Sequence, residues 1–191
     1  LLAAAYRSAL VLAEAESLLA NAGQDLETLR DLYATRLRAG RWADAAKLAE
    51  EVGEVGRVPL LDHLSEQPPF QISGATEAKL FFVRTYPVPL VKAKVNGQSV
   101  LLAVDTGASD LLIDPMWVAR AKVRVFPGQS LAFWCGTRLA VKNALVQKLE
   151  LGGIRIDRVP AGVLSLHKWS VEVNPHGETV AGIIGSRLLP G

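Results

Sequence analysis

The sequence predicts an α+β protein of two domains, in which helical hairpins are followed by an all-β half-barrel with one closing helix. Residues 1–53 are dominated by Ala, Leu, Glu and Arg and contain no β-branched run. Residues 80–191 instead alternate short β-branched and aromatic runs with turn residues, a pattern typical of short strands. Residues 54–79 carry scattered Pro and Gly and are predicted to form a linker, with a possible helical turn at 60–64.

Three helices are predicted in the first domain. The first covers residues 2–19, and the Gly23 that follows Asn21 and Ala22 supplies C-cap chemistry. The second presents four large side chains at helical spacing, Leu26, Leu29, Tyr33 and Leu37. A turn at Gly40 leads into the third, residues 42–52. The turn glycine followed by small alanines resembles a tetratricopeptide repeat hairpin, and a plain helical hairpin is the other interpretation.

The β-domain is predicted to begin at Leu80, and its clearest element is a hairpin. Residues 91–95 alternate apolar and polar side chains, Asn96-Gly97 is a strong two-residue turn, and residues 99–104 form the second strand. That strand becomes wholly apolar before it reaches Asp105, so we expect Asp105 to be buried.

Asp105 opens the tripeptide Asp-Thr-Gly at 105–107. A buried carboxylate is costly unless it is paired or hydrogen-bonded, and acids in such places are often functional. The alternative is a polar turn that ends a strand, with glycine supplying a positive φ.

A second apolar run, residues 181–184, ends in Gly185 about 80 residues later. Between the runs lie the strand 110–114 and the Leu-Gly-Gly segment within 149–156, and Leu188-Leu189 follows the second run. Over residues 88–189 this order resembles the retropepsin-like aspartic protease family. The resemblance implies an acid-protease half-barrel and an aspartic-type endopeptidase that hydrolyses polypeptide.

The resemblance also implies roles for the motif residues. Asp105 would be the catalytic acid/base, because this chemistry uses two carboxylates that share one proton. Thr106 would brace the pair, Gly107 would accept a hydrogen bond from extended substrate, and Ala108 would lie along the substrate channel.

A flap that covers substrate is expected between the two motifs. Phe133, Trp134 and Gly136 are the candidates for its substrate-binding tip; the other interpretation places Phe133 and Trp134 in the core of a sheet. Residues 167–180 are predicted to form an exposed loop.

The sequence contains a single Asp-Thr-Gly, so the second carboxylate must come from another chain or another lobe. A two-fold homodimer is the simplest arrangement. The alternative function is a protease-like module without activity, which dimerises while the helical segment recruits a protein partner.

One departure concerns an ion pair of the viral family members. They carry an acidic residue two positions after the motif glycine and an arginine after the closing glycine, where this sequence has Ser109 and Ser186. Asp110 and Arg187 lie one position further on. They either pair with each other or remain solvated.

Composition excludes several function classes. The net charge of +2 gives no electrostatic argument for nucleic acid or an anionic membrane. The single Cys135 excludes an internal disulfide, and the three His show no ligand spacing, so neither metal nor cofactor is expected. No segment has the roughly 18 to 20 apolar residues of a membrane span.

Arg7 and Glu14 interrupt the first apolar stretch, which favours an amphipathic helix over a targeting segment. The sequence begins without Met and stops where the family normally continues with a strand. We therefore expect a fragment or processed form whose second domain is truncated. Resemblance to exported bacterial members favours the periplasm or cell envelope.

Overall fold

The computed structural model describes residues 2–23, 25–75, 77, 79–134 and 136–188. The chain divides into two compact units, Leu1–Pro68 and Pro69–Gly191. The first contains only helices and the second is built around a β-sheet, which confirms the predicted order of helices followed by a β-domain. Among the described residues, no helix is both long enough and apolar enough to cross a membrane.

Within residues 2–23 and 25–68, the helical unit has four α-helices and one 3₁₀ turn, Val55–Arg57. The helices are α1 Leu2–Ala22, α2 Leu26–Arg38, α3 Trp42–Leu48 and α4 Val58–Glu66. Their core is formed by Leu29, Tyr33, Leu37, Ala45, Ala49, Val52 and Leu61. Ala45 and Ala49 are completely buried. The third helix is shorter than predicted, since residues 49–53 form turns.

The predicted linker, residues 54–79, is wrong for most of its length. Residues 58–66 form α4, whose Leu60, Leu61 and Leu64 are each 1% exposed. Pro59 occupies the first turn of this helix, where its fixed φ and missing N–H are favourable rather than disruptive. Residues 71–74 form a strand of the second unit, so the boundary between the units falls at 68/69.

In the part of the second unit that the structure describes, there are nine strands and two short helices. The strands are β1 Gln71–Gly74, β2 Phe82–Arg84, β3 Leu90–Val95, β4 Gln98–Val104, β5 Leu111–Ile113, β6 Arg124–Trp134, β7 Thr137–Leu151, β8 Ile154–Val163 and β9 Val180–Ile184. The helices are α5 Pro115–Arg120 and α6 His167–Val173, and a 3₁₀ turn covers Ser186–Leu188. The closing helix is thus a single turn, and the predicted loop 167–180 begins with a helix.

Six of these strands form a closed ring. Their order is β8-β5-β9-β4-β3-β7, and β7 also pairs with β8. A closed ring removes sheet edges, so the unit is a β-barrel, which agrees with the predicted acid-protease fold. β1, β2 and β6 attach to the ring through β8, β3 and β7 respectively.

The apolar run of β4 is explained by burial on both of its faces. Leu102 points into the main core of the barrel, whereas Leu101 and Ala103 belong to a second cluster that includes Leu166 and Val173, at the two ends of α6. A strand covered on both sides loses the alternation of apolar and polar residues. The β3–β4 hairpin is confirmed, with Val95 opposite Gln98 across the Asn96-Gly97 turn.

Candidate active site

The barrel brings the ends of two neighbouring strands together. β9 lies between β4, to which it is parallel, and β5, to which it is antiparallel. Val104 is in register with Ile184, so Asp105 and Gly185 leave the barrel side by side. We call residues 105–110 the Asp105 loop and residues 185–188 the closing turn.

Asp105 is held by three hydrogen bonds within and next to its loop. Its N–H donates to the carbonyl of Ile184 at 3.0 Å, and its own carbonyl accepts from the N–H of Ala108 at 3.2 Å. Its carboxylate Oδ1 accepts from the N–H of Gly107 at 2.8 Å. A Cβ atom at Gly107 would lie 3.2 Å from that oxygen, so glycine leaves the carboxylate uncrowded.

The prediction that Asp105 is buried is wrong for the single chain. β4 is buried from Val100 to Ala103 and half-buried at Val104, whereas Asp105, Thr106 and Gly107 are exposed. The apolar run ends at the last residue that packs inside the barrel, and the carboxylate stands one residue beyond it. Ala108 is half-buried and packs against the cluster of β4 and α6.

The closing turn is hydrogen-bonded to the Asp105 loop through its backbone and one hydroxyl. The N–H of Ser186 donates to the carbonyl of Ala108 at 2.8 Å, and its Oγ donates to the same oxygen at 3.0 Å. The N–H of Arg187 donates to the carbonyl of Ser109 at 3.2 Å. Ser109 and Ser186 therefore join the two segments by hydrogen bonds, where the viral family members are expected to use an ion pair.

Asp110 and Arg187 form an ion pair, which decides between the two interpretations of the sequence. The guanidinium Nη1 lies 3.2 Å from Oδ1 of Asp110, and the side chains are only 26% and 27% exposed. This pair joins the last residue of the Asp105 loop to the third residue of the closing turn.

The backbone around the flap candidates forms the end of the β6–β7 hairpin. Trp134 is opposite Thr137, and Phe133 is opposite Arg138. Gly136 lies in the turn with φ +76°, a value that favours glycine. The side chains of Phe133 and Trp134 and the whole of Cys135 lie outside the described residues. The structure thus groups residues 105–108 in one loop and the three flap candidates in a hairpin tip.

One buried carboxylate of the barrel unit was not singled out from the sequence. Asp114 is 4% exposed and accepts from the N–H of Met116 at 2.9 Å and of Leu166 at 2.7 Å. It caps α5 and ties that helix to the segment before α6. The dipeptide Asp114-Pro115 was the available signal, because an acceptor followed by proline is typical of a helix start.

The Asp105 loop does not lie in either described cavity of the barrel unit. The larger, about 550 Å³, involves strands β3, β4, β7 and β8, with Lys92, Ser99 and Arg155 among its lining residues. The smaller, about 280 Å³, is lined by residues 79–83 together with Val91, Lys92 and Gly152. Among the described residues, no three His, Cys, Asp or Glu side chains are arranged to hold a metal ion.

Comparison with known proteins supplies a family and similar solved structures. A family model described as aspartyl protease matches residues 91–188, just over half of the 191 residues. Comparison with curated proteins gives no match. The chain is similar to the crystal structure of a retropepsin-like aspartic protease from Rickettsia conorii. The two are 18% identical, with 63% of this chain and 82% of that chain covered and a TM-score of 0.41.

Proposed function

This chain belongs to the aspartyl protease family, and we propose that it is an aspartic-type endopeptidase that cleaves extended polypeptide. The family inferred from the sequence motifs is thereby confirmed. In the proposed reaction, a water molecule is activated by two aspartates. One is Asp105, and the other comes from a second chain or lobe.

The chemistry requires two carboxylates in different protonation states. Two like charges in contact cannot both ionise, so the pair shares one proton and titrates as a unit. The ionised member takes a proton from water, which attacks the scissile carbonyl carbon. The protonated member donates to the carbonyl oxygen, and a proton then passes to the leaving amine.

The observation that carries the proposal is the fixed but exposed carboxylate of Asp105. A hydrogen bond from Gly107 orients it, while Asp105 itself is exposed in the single chain. A catalytic carboxylate normally works in a site from which water is largely excluded. A partner surface that covers Asp105 and brings its own aspartate meets that need, and a second copy related by a two-fold axis is the simplest one.

We also propose roles for the residues that follow Asp105, for the flap candidates and for the helical unit. Thr106 would brace the pair across the axis, and Gly107 and Ala108 would lie along the bound peptide. The hairpin tip with Phe133, Trp134 and Gly136 would close over the substrate as a flap. The helical unit is proposed to be a tetratricopeptide-like segment that binds a protein partner.

The test is cleavage of a mixed peptide library from acid to mildly alkaline pH by the wild type and by Asp105→Asn. Asparagine keeps the acceptor for the N–H of Gly107 but cannot take the proton, so we expect cleavage to be lost and the fold retained. Asp157→Asn on β8 is the matched control and should retain cleavage. Sedimentation of both variants checks that the assembly is unchanged.

Equal cleavage by the wild type and Asp105→Asn would refute the proposed role of Asp105. A folded dimer that cleaves no peptide at any pH would favour the alternative function, a protease-like module that dimerises and recruits partners without catalysis.

A further inference from the structure

The structure assigns Asp110 and Arg187 a positioning role, in which their ion pair holds the Asp105 loop against the closing turn. The kinetic part of this inference rests on the proposed function. The structural part is independent of it, because the pair and its neighbours are present whether or not the chain cleaves peptides.

The Asp105 loop needs such support because it is not part of a strand. β4 ends at Val104 and β5 begins at Leu111, so residues 105–110 have no ladder partners. Three backbone hydrogen bonds join the loop to residues 184–187: the N–H of Asp105 donates to Ile184, and the carbonyls of Ala108 and Ser109 accept from Ser186 and Arg187. The conformation of the Asp105 loop therefore depends on its contacts with the last residue of β9 and with the closing turn.

Contact between the two segments is tight enough to transmit displacement. A Cβ atom added to Gly185 would lie 2.5 Å from the carbonyl carbon of Ser109 and 2.6 Å from the backbone N and O of Asp110. Close-packed backbones have no free space in which one can shift alone. A movement of the closing turn consequently moves Ser109 and Asp110, and with them the loop that carries Asp105.

The ion pair joins the side chains of the two segments, at the end of the Asp105 loop that is farthest along the chain from Asp105. Arg187 also donates its backbone N–H to the carbonyl of Ser109, so it holds both the backbone and the side chain of adjacent loop residues. Both charged groups are about three-quarters buried, and a partly buried pair is screened by salt much less than an exposed one.

Loosening the loop should lower the rate of the chemical step more than substrate binding. A misplacement of about 1 Å at a reacting group costs up to a hundredfold in rate. Neutralising one partner leaves the backbone hydrogen bonds in place, so we expect a smaller loss, on the order of tenfold in kcat, with KM changed less than about twofold.

The experiment uses Asp110→Asn, Arg187→Gln and the charge swap Asp110→Arg/Arg187→Asp in the full chain. Arg155→Gln is the matched control, because it removes the Arg155–Asp157 pair of the same unit, 2.7 Å between Nε and Oδ1, outside both segments. Two quantities are measured for each protein: kcat and KM on one library peptide, and amide hydrogen exchange of Gly107 and Ser186 by NMR.

The inference is supported if each single variant lowers kcat and speeds both amide exchanges, while the swap restores them toward wild type and Arg155→Gln changes neither. It is overturned if the single variants match Arg155→Gln. It is also overturned if the swap folds but remains as impaired as the single variants.

A wild type without activity would refute the proposed function and leave this inference to be decided by amide exchange alone. Faster exchange in the single variants and recovery in the swap would still establish the positioning role. Exchange unchanged from wild type would overturn it.

Discussion

Gly185→Ala tests whether close packing of the closing turn sets the geometry of the Asp105 loop. The new Cβ would lie 2.5 Å from the carbonyl carbon of Ser109, about 0.9 Å closer than the 3.4 Å at which ordinary contact begins. All three nearest atoms are backbone atoms of Ser109 and Asp110, so no side chain can rotate away. The backbone itself must move by most of that distance.

Two effects follow from a displacement of this size. Overpacking a well-packed interior costs about 1–3 kcal/mol of unfolding free energy. A shift of about 1 Å in the loop that carries Asp105 should also lower kcat/KM by up to about a hundredfold. Urea unfolding followed by far-UV circular dichroism measures the first effect, and cleavage of one library peptide measures the second.

Gly162→Ala is the matched control, since it adds the same methyl group to the same barrel. Its Cβ would meet the Cδ2 of Leu112 at 2.9 Å, and a leucine methyl can move by a rotamer change. We expect Gly162→Ala to be less destabilising and to keep its activity. The reasoning is refuted if Gly185→Ala unfolds at the wild-type urea concentration and cleaves at the wild-type rate.

Two further predictions concern carboxylates outside the Asp105 loop. Asp114→Ala should lower the unfolding free energy by about 2 kcal/mol, because it removes a helix cap and leaves the buried N–H groups of Met116 and Leu166 without their acceptor; urea unfolding checks this, and a loss no larger than that of Asp157→Ala would contradict it. Asp44→Asn tests pH dependence in the helical unit. Hydrogen bonds from Lys47 and then Arg41 lower the pKa of Asp44 from 3.8 to about 2. Because the folded pKa is the lower one, the stabilisation is complete above the unfolded value and is lost as the pH falls through about 2. Helical circular dichroism during acid titration from pH 5 to 2 should therefore fall more steeply for the wild type than for Asp44→Asn, and parallel curves would refute the assignment.

Prediction from the sequence succeeded where the local residue pattern and the tertiary packing favour the same structure. Asn96-Gly97 between two alternating runs specifies a hairpin through turn chemistry alone, and the structure has it. The family motifs around Asp105 and Gly185 were found because short strands end in turns that only a few residue types can form. The hydrogen bond from Gly107 to Asp105 is one such requirement.

The failures arise where structure depends on partners distant in sequence. β1 consists of four exposed residues that pair with β8, so its own pattern contains no strand signal. Residues 167–173 were predicted to lie in an exposed loop, yet Ser170 and Val173 are buried, and Val173 belongs to the second apolar cluster. The Ser170 hydroxyl also accepts a hydrogen bond from the N–H of Val180. Pro59 was interpreted as a linker residue because a proline at a helix start and one in a loop look alike without the rest of α4.

The exposure of Asp105 follows from the same topology that places it. A ring of strands that closes on itself fills its interior with side chains, and Leu102 and Ile184 occupy that interior here. A catalytic group at the end of β4 must then stand outside the core, on the rim where the loops emerge. The closed barrel therefore explains both the burial of β4 and the exposure of the Asp105 carboxylate. The proposed chemistry therefore requires that Asp105 be covered at this rim, by the flap hairpin and by the partner surface that brings the second aspartate.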